Sequence, residues 1–253
     1  MTPSLFYNIV LIVWLAIAAL TFFSLLFITA PYGRHTRGGW GPQVSDTLGW
    51  LIMEIPAVLA ISVFFFLSDR TSNPVSILFL LIWQIHYFNR GLIFPFRRRS
   101  KGKTMPLSIA LSGLFFNIVN GYLQGYLLFF LLPAPSMAWL SDPRFLGGTL
   151  LFLVGFAINQ HSDQILFNLR KPGETGYKIP TGGMYRFVSN PNYFGELLEW
   201  TGWAILTCSV GGLAFVIWTA ANLIPRALSN HKWYKDKFKD YPKSRKAVVP
   251  FVL

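Results

Sequence analysis

Residues 155–174, GFAINQHSDQILFNLRKPGE, set Asn159, His161, Asp163 and Arg170 at the end of an apolar run. Wound as a helix at 100° per residue, the run brings Asn159, Asp163 and Arg170 within about 40° of one another. Ionisable groups at membrane depth are costly and face a protein interior or a wet cavity. Three more stripes repeat the pattern. Asn192, Glu196, Glu199 and Trp203 follow spacings of 4, 3 and 4. Asn222, Arg226 and Asn230 are four apart around Pro225, a helix-kinking residue. Asn117, Asn120 and Gln124 form the fourth. Any one stripe also fits interhelical glue, the amides at 117–124 most of all. Together, biased toward the cytoplasmic ends, they point to one shared wet cavity.

The charges of that cavity are mixed. Arg170 and Arg226 accompany Asp163, Glu196 and Glu199. Arginine beside Asn and backbone donors suits phosphate or pyrophosphate, and carboxylates suit ribose hydroxyls, amides or a neighbouring Arg. A dinucleotide arriving from the cytoplasm is the natural candidate. No GxGxxG follows a strand, so its cradle is not the Rossmann kind. Glu54 lies inside WLIMEIPAV and Tyr87 inside WQIHYFNR. A carboxyl in apolar surroundings tends to stay protonated. A neutral Glu and a Tyr hydroxyl that both donate to a carbonyl polarise an enone and stabilise the enolate that forms. The plainer readings are a satisfied carboxyl paired with Arg or Tyr, and an interface aromatic. His86, next to Tyr87, faces elsewhere and reads as structural.

Other chemistries find little support. The four His residues, at 35, 86, 161 and 231, lack ligand spacing, so a metal site is not expected. The one cysteine, Cys208, excludes an internal disulfide and a multi-Cys metal site, and reads as a small apolar helix residue. Neither Gly-x-Ser-x-Gly nor a Cys/His pairing argues for a nucleophile.

The elements that position these residues are read from hydropathy. The chain of 253 residues is 53% apolar and 13% charged, against roughly 25% charged in soluble domains. Apolar runs recur at about 5–29, 47–67, 74–94, 107–132, 145–168, 195–210 and 211–230. The runs show no period-2 alternation, so strands are a poor alternative. Ser209-Val-Gly-Gly212 offers the turn between the last two spans. Arg34, His35 and Arg37 fill the first connection, Arg97–Lys103 the third, Arg170–Arg186 the fifth, and seven Lys or Arg the tail from Lys232 to Lys246. Seven spans with the N-terminus outside put every basic segment in the cytoplasm. The net charge of +12 thus reads as positive-inside loops or a lipid anchor, not nucleic-acid binding. No internal repeat or second domain is visible, so residues 1–253 read as one membrane domain.

The strings PYGRHT, WLIMEIP, HYFNR, NGYLQGY, INQHSDQILFNLRKPGETGYKIPTGG, NPNYFGELLEW and YPKSRKAVVPF resemble the steroid 5α-reductase family of integral-membrane, NADPH-dependent reductases. The resemblance runs over most of the length and suggests a bacterial homologue. It implies seven transmembrane helices around one cofactor and substrate cavity, with NADPH entering from the cytoplasm and a lipophilic 3-oxo-Δ4 steroid from the bilayer. By resemblance, Glu54 and Tyr87 hold the C3 carbonyl. Asn159, Asp163, Arg170, Asn192, Glu196, Arg226 and Tyr234 match cofactor-contacting positions. Tyr32, Arg34, Arg90, Lys103, Tyr177, Lys178 and His231 are further candidates around the phosphates and adenosine. Trp50, Met53, Glu199 and Trp200 are assigned to the substrate.

There are departures from the family pattern. Met53 stands where the animal enzymes carry Gln, Asn230 replaces a His, and Lys178 replaces an Arg, keeping charge but losing the fork geometry. The expected partners are the steroid-like substrate and the bilayer, with no nucleic acid, and the protein is expected to work as a monomer. Three other readings stay open. One is a reductase of another lipid enone, a polyprenol or an enoyl-CoA. Another is an S-adenosylmethionine-dependent membrane methyltransferase, some of which share a Pro-x-Tyr-x-Gly segment like Pro191–Gly195. The last is a transporter or sterol-binding protein, for which the inverted repeats are not visible.

Overall fold

The computed structural model describes residues 2–31, 33–35, 37–98, 102–170, 174 and 176–253. Their helices are α1 (Pro3–Phe27), α2 (Asp46–Leu67), α3 (Pro74–Phe88), α4 (Phe94–Arg97), α5 (Leu107–Tyr126), α6 (Pro143–Asn168), α7 (Pro191–Thr207) and α8 (Val210–Lys237). A π-helical turn, Asn89–Ile93, joins α3 to α4, and a second, Leu127–Leu131, extends α5. Among the described residues five stretches are long and apolar enough to cross a membrane: Pro3–Phe27, Asp46–Leu67, Pro74–Arg97, Leu107–Leu131 and Val210–Lys237. α6 and α7 occupy the places expected for the fifth and sixth spans. α7 has 17 residues, two of them glutamates.

The chain forms two compact units. The first comprises Met1–Ile12, Ala30–Leu146 and Thr207–Gly211. In it, β1 (Gln43–Ser45) pairs antiparallel with β2 (Thr104–Pro106), with Val44 opposite Met105. This small sheet was not expected from the sequence; it is too short for alternation to register. Its strands run directly into α2 and α5, so it sets both helices at a common level. Ser45 caps α2 by accepting from the Leu48 N–H, and Asp46 puts a carboxylate in the first turn.

α2 and α5 then pack along a line of small residues. Gly113, Gly121 and Gly125 of α5 meet Met53, Ala60 and Phe64 of α2. A Cβ at Gly113 would lie 2.6 Å from Met53 Cγ, and one at Gly125 would lie 2.8 Å from Phe64 Cβ. Where lipid is as apolar as the side chains, such close fit is what holds helices together. α3 joins α2 through donors to its backbone. Trp83 Nε1 donates to the Ala57 carbonyl (2.9 Å), and Gln84 Nε2 donates to the Val58 carbonyl (2.9 Å) and Ser62 Oγ (2.8 Å).

The second unit comprises Val13–Thr29, Gly147–Leu206 and Gly212–Leu253. α6 and α7 touch backbone to backbone within it. A Cβ on Gly155 would sit 2.5 Å from the Glu199 nitrogen, one on Gly195 2.6 Å from the Asn159 nitrogen, and one on Gly202 2.5 Å from the Phe152 nitrogen. Trp218 of α8 donates to the Trp14 carbonyl of α1 (2.9 Å).

The tail after α8 returns beside the segment before α7, where Val188 and Lys246 form a parallel bridge. Asn190 ties this return together. Its Nδ2 donates to the carbonyls of Ala227 (3.2 Å) and Ala247 (3.0 Å), and its Oδ1 accepts from Asn230 Nδ2 (2.9 Å). Asn190→Ala should leave buried partners unsatisfied at about 1–3 kcal/mol each. A fall in detergent melting temperature of several degrees is the expected result.

Three local expectations are corrected. α6 ends at Asn168, so Arg170 lies beyond the helix and leaves the face of Asn159 and Asp163. The reversal after α7 falls on Cys208, at φ 46°, with Thr207 Oγ1 and Ser209 Oγ 2.9 Å apart. Gly211 and Gly212 belong to the first turn of α8. Cys208 is an exposed turn residue, not an apolar helix residue.

Candidate active site

In the first unit the polar centre is built on α2. Trp50 and Met53 are buried, and the Glu54 side chain is 14% exposed. One turn of helix separates Trp50 from Glu54, so both lie on one side of α2. Tyr87 of α3 is 3% exposed and stacks on Trp83 with ring centres 4.7 Å apart. His86 is buried as well, its ring edge-on to Tyr87 at 4.9 Å.

The π turn that follows α3 brings Arg90 round to Glu54. Arg90 Nε is 3.7 Å from Oε1, and the guanidinium lies over the rings of Trp50 (4.6 Å) and Phe94 (4.3 Å). π turns recur at functional sites because one extra residue re-aims the side chains beyond it. Arg98 lies over Trp50 at 4.8 Å and pairs with Asp46 at 3.3 Å. Asn117 of α5 donates to Glu54 Oε2 (3.3 Å). The surroundings of Glu54 are therefore polar, with a guanidinium and an amide N–H facing its oxygens, as in the plainer reading of a carboxyl paired with Arg and unlike the apolar pocket. Among the described residues, the buried donor Trp50 Nε1 and the buried acceptor Asn117 Oδ1 have no hydrogen-bond partner.

In the second unit the stripes of α6 and α7 face one another. Asn159 Nδ2 donates to the Asn192 carbonyl (3.1 Å) and to Glu196 Oε1 (3.2 Å), and Asn192 Nδ2 donates to Asp163 Oδ1 (3.1 Å). Asn159 and Asp163 are 2% and 4% exposed. Gly155 and Gly195 stand one turn before Asn159 and just before Glu196, so the glycine contacts set the span of these rungs. On α8, Arg226 Nε donates to the Tyr193 hydroxyl (2.7 Å). This hydroxyl was not singled out in the sequence, although it lies inside the string NPNYFGE. Tyr234 stacks on Tyr241 (5.3 Å, 9° between planes), and Tyr177 meets Trp233 edge-on (4.7 Å).

Other predicted residues are placed differently. Arg170 donates to the Gly176 carbonyl (3.0 Å), and Lys178, exposed, pairs with Glu174. His231 Nδ1 contacts Ser189 Oγ (2.5 Å), which also meets the Tyr241 hydroxyl (2.6 Å), so this side of the imidazole is engaged in holding the tail. Glu199 is fully buried with its backbone against Gly155, and Trp200 packs between Phe152 and Phe215 as core. In the first unit Arg34 is half-buried in a 3-10 turn, while Lys103 is exposed and its carbonyl accepts from the Asp46 N–H (3.0 Å). Tyr32 lies outside the described residues.

Apolar helices of spanning length and two interior polar sets, one on α2, α3 and α5 and one on α6, α7 and α8, define a membrane-type protein with buried chemistry. A family model described as 3-oxo-5-alpha-steroid 4-dehydrogenase matches residues 103–253. The chain is 44% identical to the steroid 5-alpha-reductase DET2 of Gossypium hirsutum over 93% of both proteins. It is 42% identical to the 3-oxo-5-alpha-steroid 4-dehydrogenase 1 of Bos taurus, over 94% of this chain and 93% of that one. The human protein of the same name is 43% identical over 88% of this chain and 86% of its own length. The chain belongs to the 3-oxo-5-alpha-steroid 4-dehydrogenase family, oxidoreductases that act on CH–CH bonds.

Proposed function

We propose that this protein reduces the Δ4 double bond of 3-oxo-Δ4-steroids at the expense of NADPH, giving 5α-reduced products. α6 and α7 cross the bilayer with the five apolar helices, the N-terminus lies outside and the basic tail in the cytoplasm, and the chain works as a monomer. The carrying observation is the half-buried Glu54 with Arg90 and Asn117 on its two oxygens and, one turn away, a Trp50 N–H with no partner among the described residues. An oxygen-bearing, otherwise greasy ligand suits such a place.

The second unit has a donor set that fits the dinucleotide. Asp163 and Glu196 offer carboxylate oxygens to ribose hydroxyls or a carboxamide, Asn159 and Asn192 offer amides, and Arg226 offers a guanidinium to phosphate. The rungs between α6 and α7 hold these groups in place before a ligand arrives. When bound, NADPH supplies the hydride for C5 of the enone.

Glu54 and Tyr87 act on the other end of the conjugated system. Both donate to the C3 oxygen, which draws electrons from the double bond and stabilises the enolate as charge builds on it. Charge left on the Glu54 carboxyl as its proton moves toward that oxygen is met by Arg90 and by the Asn117 amide. Collapse of the enol, with the oxygen's proton returned to Glu54 and a proton taken up from water at C4, then completes the saturated ketone.

Purified protein in detergent, given NADPH and testosterone or progesterone, should release the 5α-reduced steroid, identified by mass spectrometry. Its absence from protein shown to be folded would overturn the assignment. In a thermal-shift comparison NADPH should stabilise the protein and S-adenosylmethionine should not. Arg226→Lys keeps the charge but loses the Nε donor to Tyr193. We expect the NADPH dissociation constant to rise about tenfold, an amount ordinary for one charged hydrogen bond, as read by the shift of melting temperature with nucleotide concentration.

A further inference from the structure

We propose that Asn117 is a positioning residue that fixes the Glu54 carboxyl by donating to Oε2 and so sets how the group meets the substrate carbonyl. The inference rests on the carbonyl-donor role proposed above for Glu54. It begins with the contact line of α5. Gly113, Asn117, Gly121 and Gly125 stand four apart, and the three glycines are where α2 comes closest. Asn117 is the one member of that line with a side chain to place, and it is 4% exposed.

The orientation of its amide is fixed by chemistry. Nδ2 lies 2.7 Å from the Met53 carbonyl, which can only accept, so the nitrogen and not the oxygen must face it. The same nitrogen lies 3.3 Å from Glu54 Oε2. Oε2 is thereby cast as an acceptor. Turning the amide over would set two acceptor oxygens together on α2. The present orientation leaves Oδ1 buried with no partner among the described residues, a destabilising arrangement that glue alone does not require.

Oε1 is the oxygen nearest Arg90 Nε. Charge that develops on the carboxyl is therefore met by the guanidinium at one oxygen and by the amide at the other. No bond is formed or broken by Asn117 itself; it acts only through Glu54. Position 53 carries a thioether, so it is α5, not the neighbouring residue of α2, that brings an amide to this carboxyl.

The test is a double-mutant cycle. Asn117→Leu should lower kcat about tenfold with the steroid KM within twofold, because the lost contact matters in the transition state. In a Glu54→Ala background, followed by single-turnover mass spectrometry, the same change should cost less than twofold. Steroid affinity, titrated through tryptophan fluorescence, should stay within twofold for Asn117→Leu. Asn117→Asp, nearly the same shape, sets an acceptor against Oε2 and should lose more turnover than the leucine variant. It also covers the case in which leucine prevents folding. Equal losses in both backgrounds, or wild-type turnover in Asn117→Asp, would overturn the positioning role. Full turnover in Glu54→Ala alone would instead sink the donor role on which it rests.

Discussion

Glu54→Gln is expected to bind nucleotide as the parent does and to turn over at least about a hundredfold more slowly, the usual cost of losing a general acid. The amide keeps the shape of the carboxyl and one donor, so folding and the packing of Trp50 should survive. It cannot pass a proton, so Arg90, 3.7 Å from the carboxyl oxygen in the parent, meets no developing charge as the enolate forms. The measurement pairs kcat for a 3-oxo-Δ4 steroid with the melting temperature in the presence and absence of NADPH. Undiminished turnover would remove Glu54 from the reaction. A lost response to NADPH would mean that the substitution reaches the nucleotide groups of the second unit.

Gly195→Ala should be the more damaging change for cofactor binding, although it adds a single methyl. Its Cβ would stand 2.6 Å from both the Asn159 nitrogen and the Gly155 carbonyl oxygen. Carbon contacts settle near roughly 3.5–4.0 Å, so α6 and α7 must separate by something like 1 Å. The rungs Asn159–Glu196 at 3.2 Å and Asn192–Asp163 at 3.1 Å would then pass out of hydrogen-bonding reach. We expect NADPH to give no measurable thermal stabilisation of this variant. Gly147→Ala is the control, since a Cβ there meets nothing within 4 Å. Alanine in an open helical position gains up to about 1 kcal/mol over glycine. If both variants kept a full nucleotide response, the close approach of the two helices would not matter to the site.

The legible part of this molecule was whatever a helix repeats. Asn159 and Asp163, Asn192 and Glu196, and Asn222 and Arg226 each declared a face by spacing alone, and α6, α7 and α8 carry them as expected. That the first two faces would hydrogen-bond to each other was not in the spacing; it depends on glycines from two separate stretches meeting at 155 and 195. Arg170 was misplaced because the periodic pattern ran on past the point where the backbone stopped being helical at Asn168. Asn117 looked like glue because its partner Glu54 lies 63 residues away. Separation along the chain also hid the polar lining of Glu54, which comes from the π turn after α3 and from α5. The β1–β2 pair escaped because three residues per strand leave no alternation to see.

The widened turn at Asn89–Ile93 makes the spacing between Tyr87 and Arg90 a matter of winding as much as of residue identity. Removing one residue there would let the coil tighten to its common pitch, and Arg90, inside the turn, would lose the position that the wider winding gives it. The guanidinium would then no longer stand beside Glu54, with every reactive side chain still spelled out in the gene. Length at this one place is thus as stringent a requirement as the chemistry it serves. A relative one residue shorter here would have to recruit its counter-charge from somewhere else.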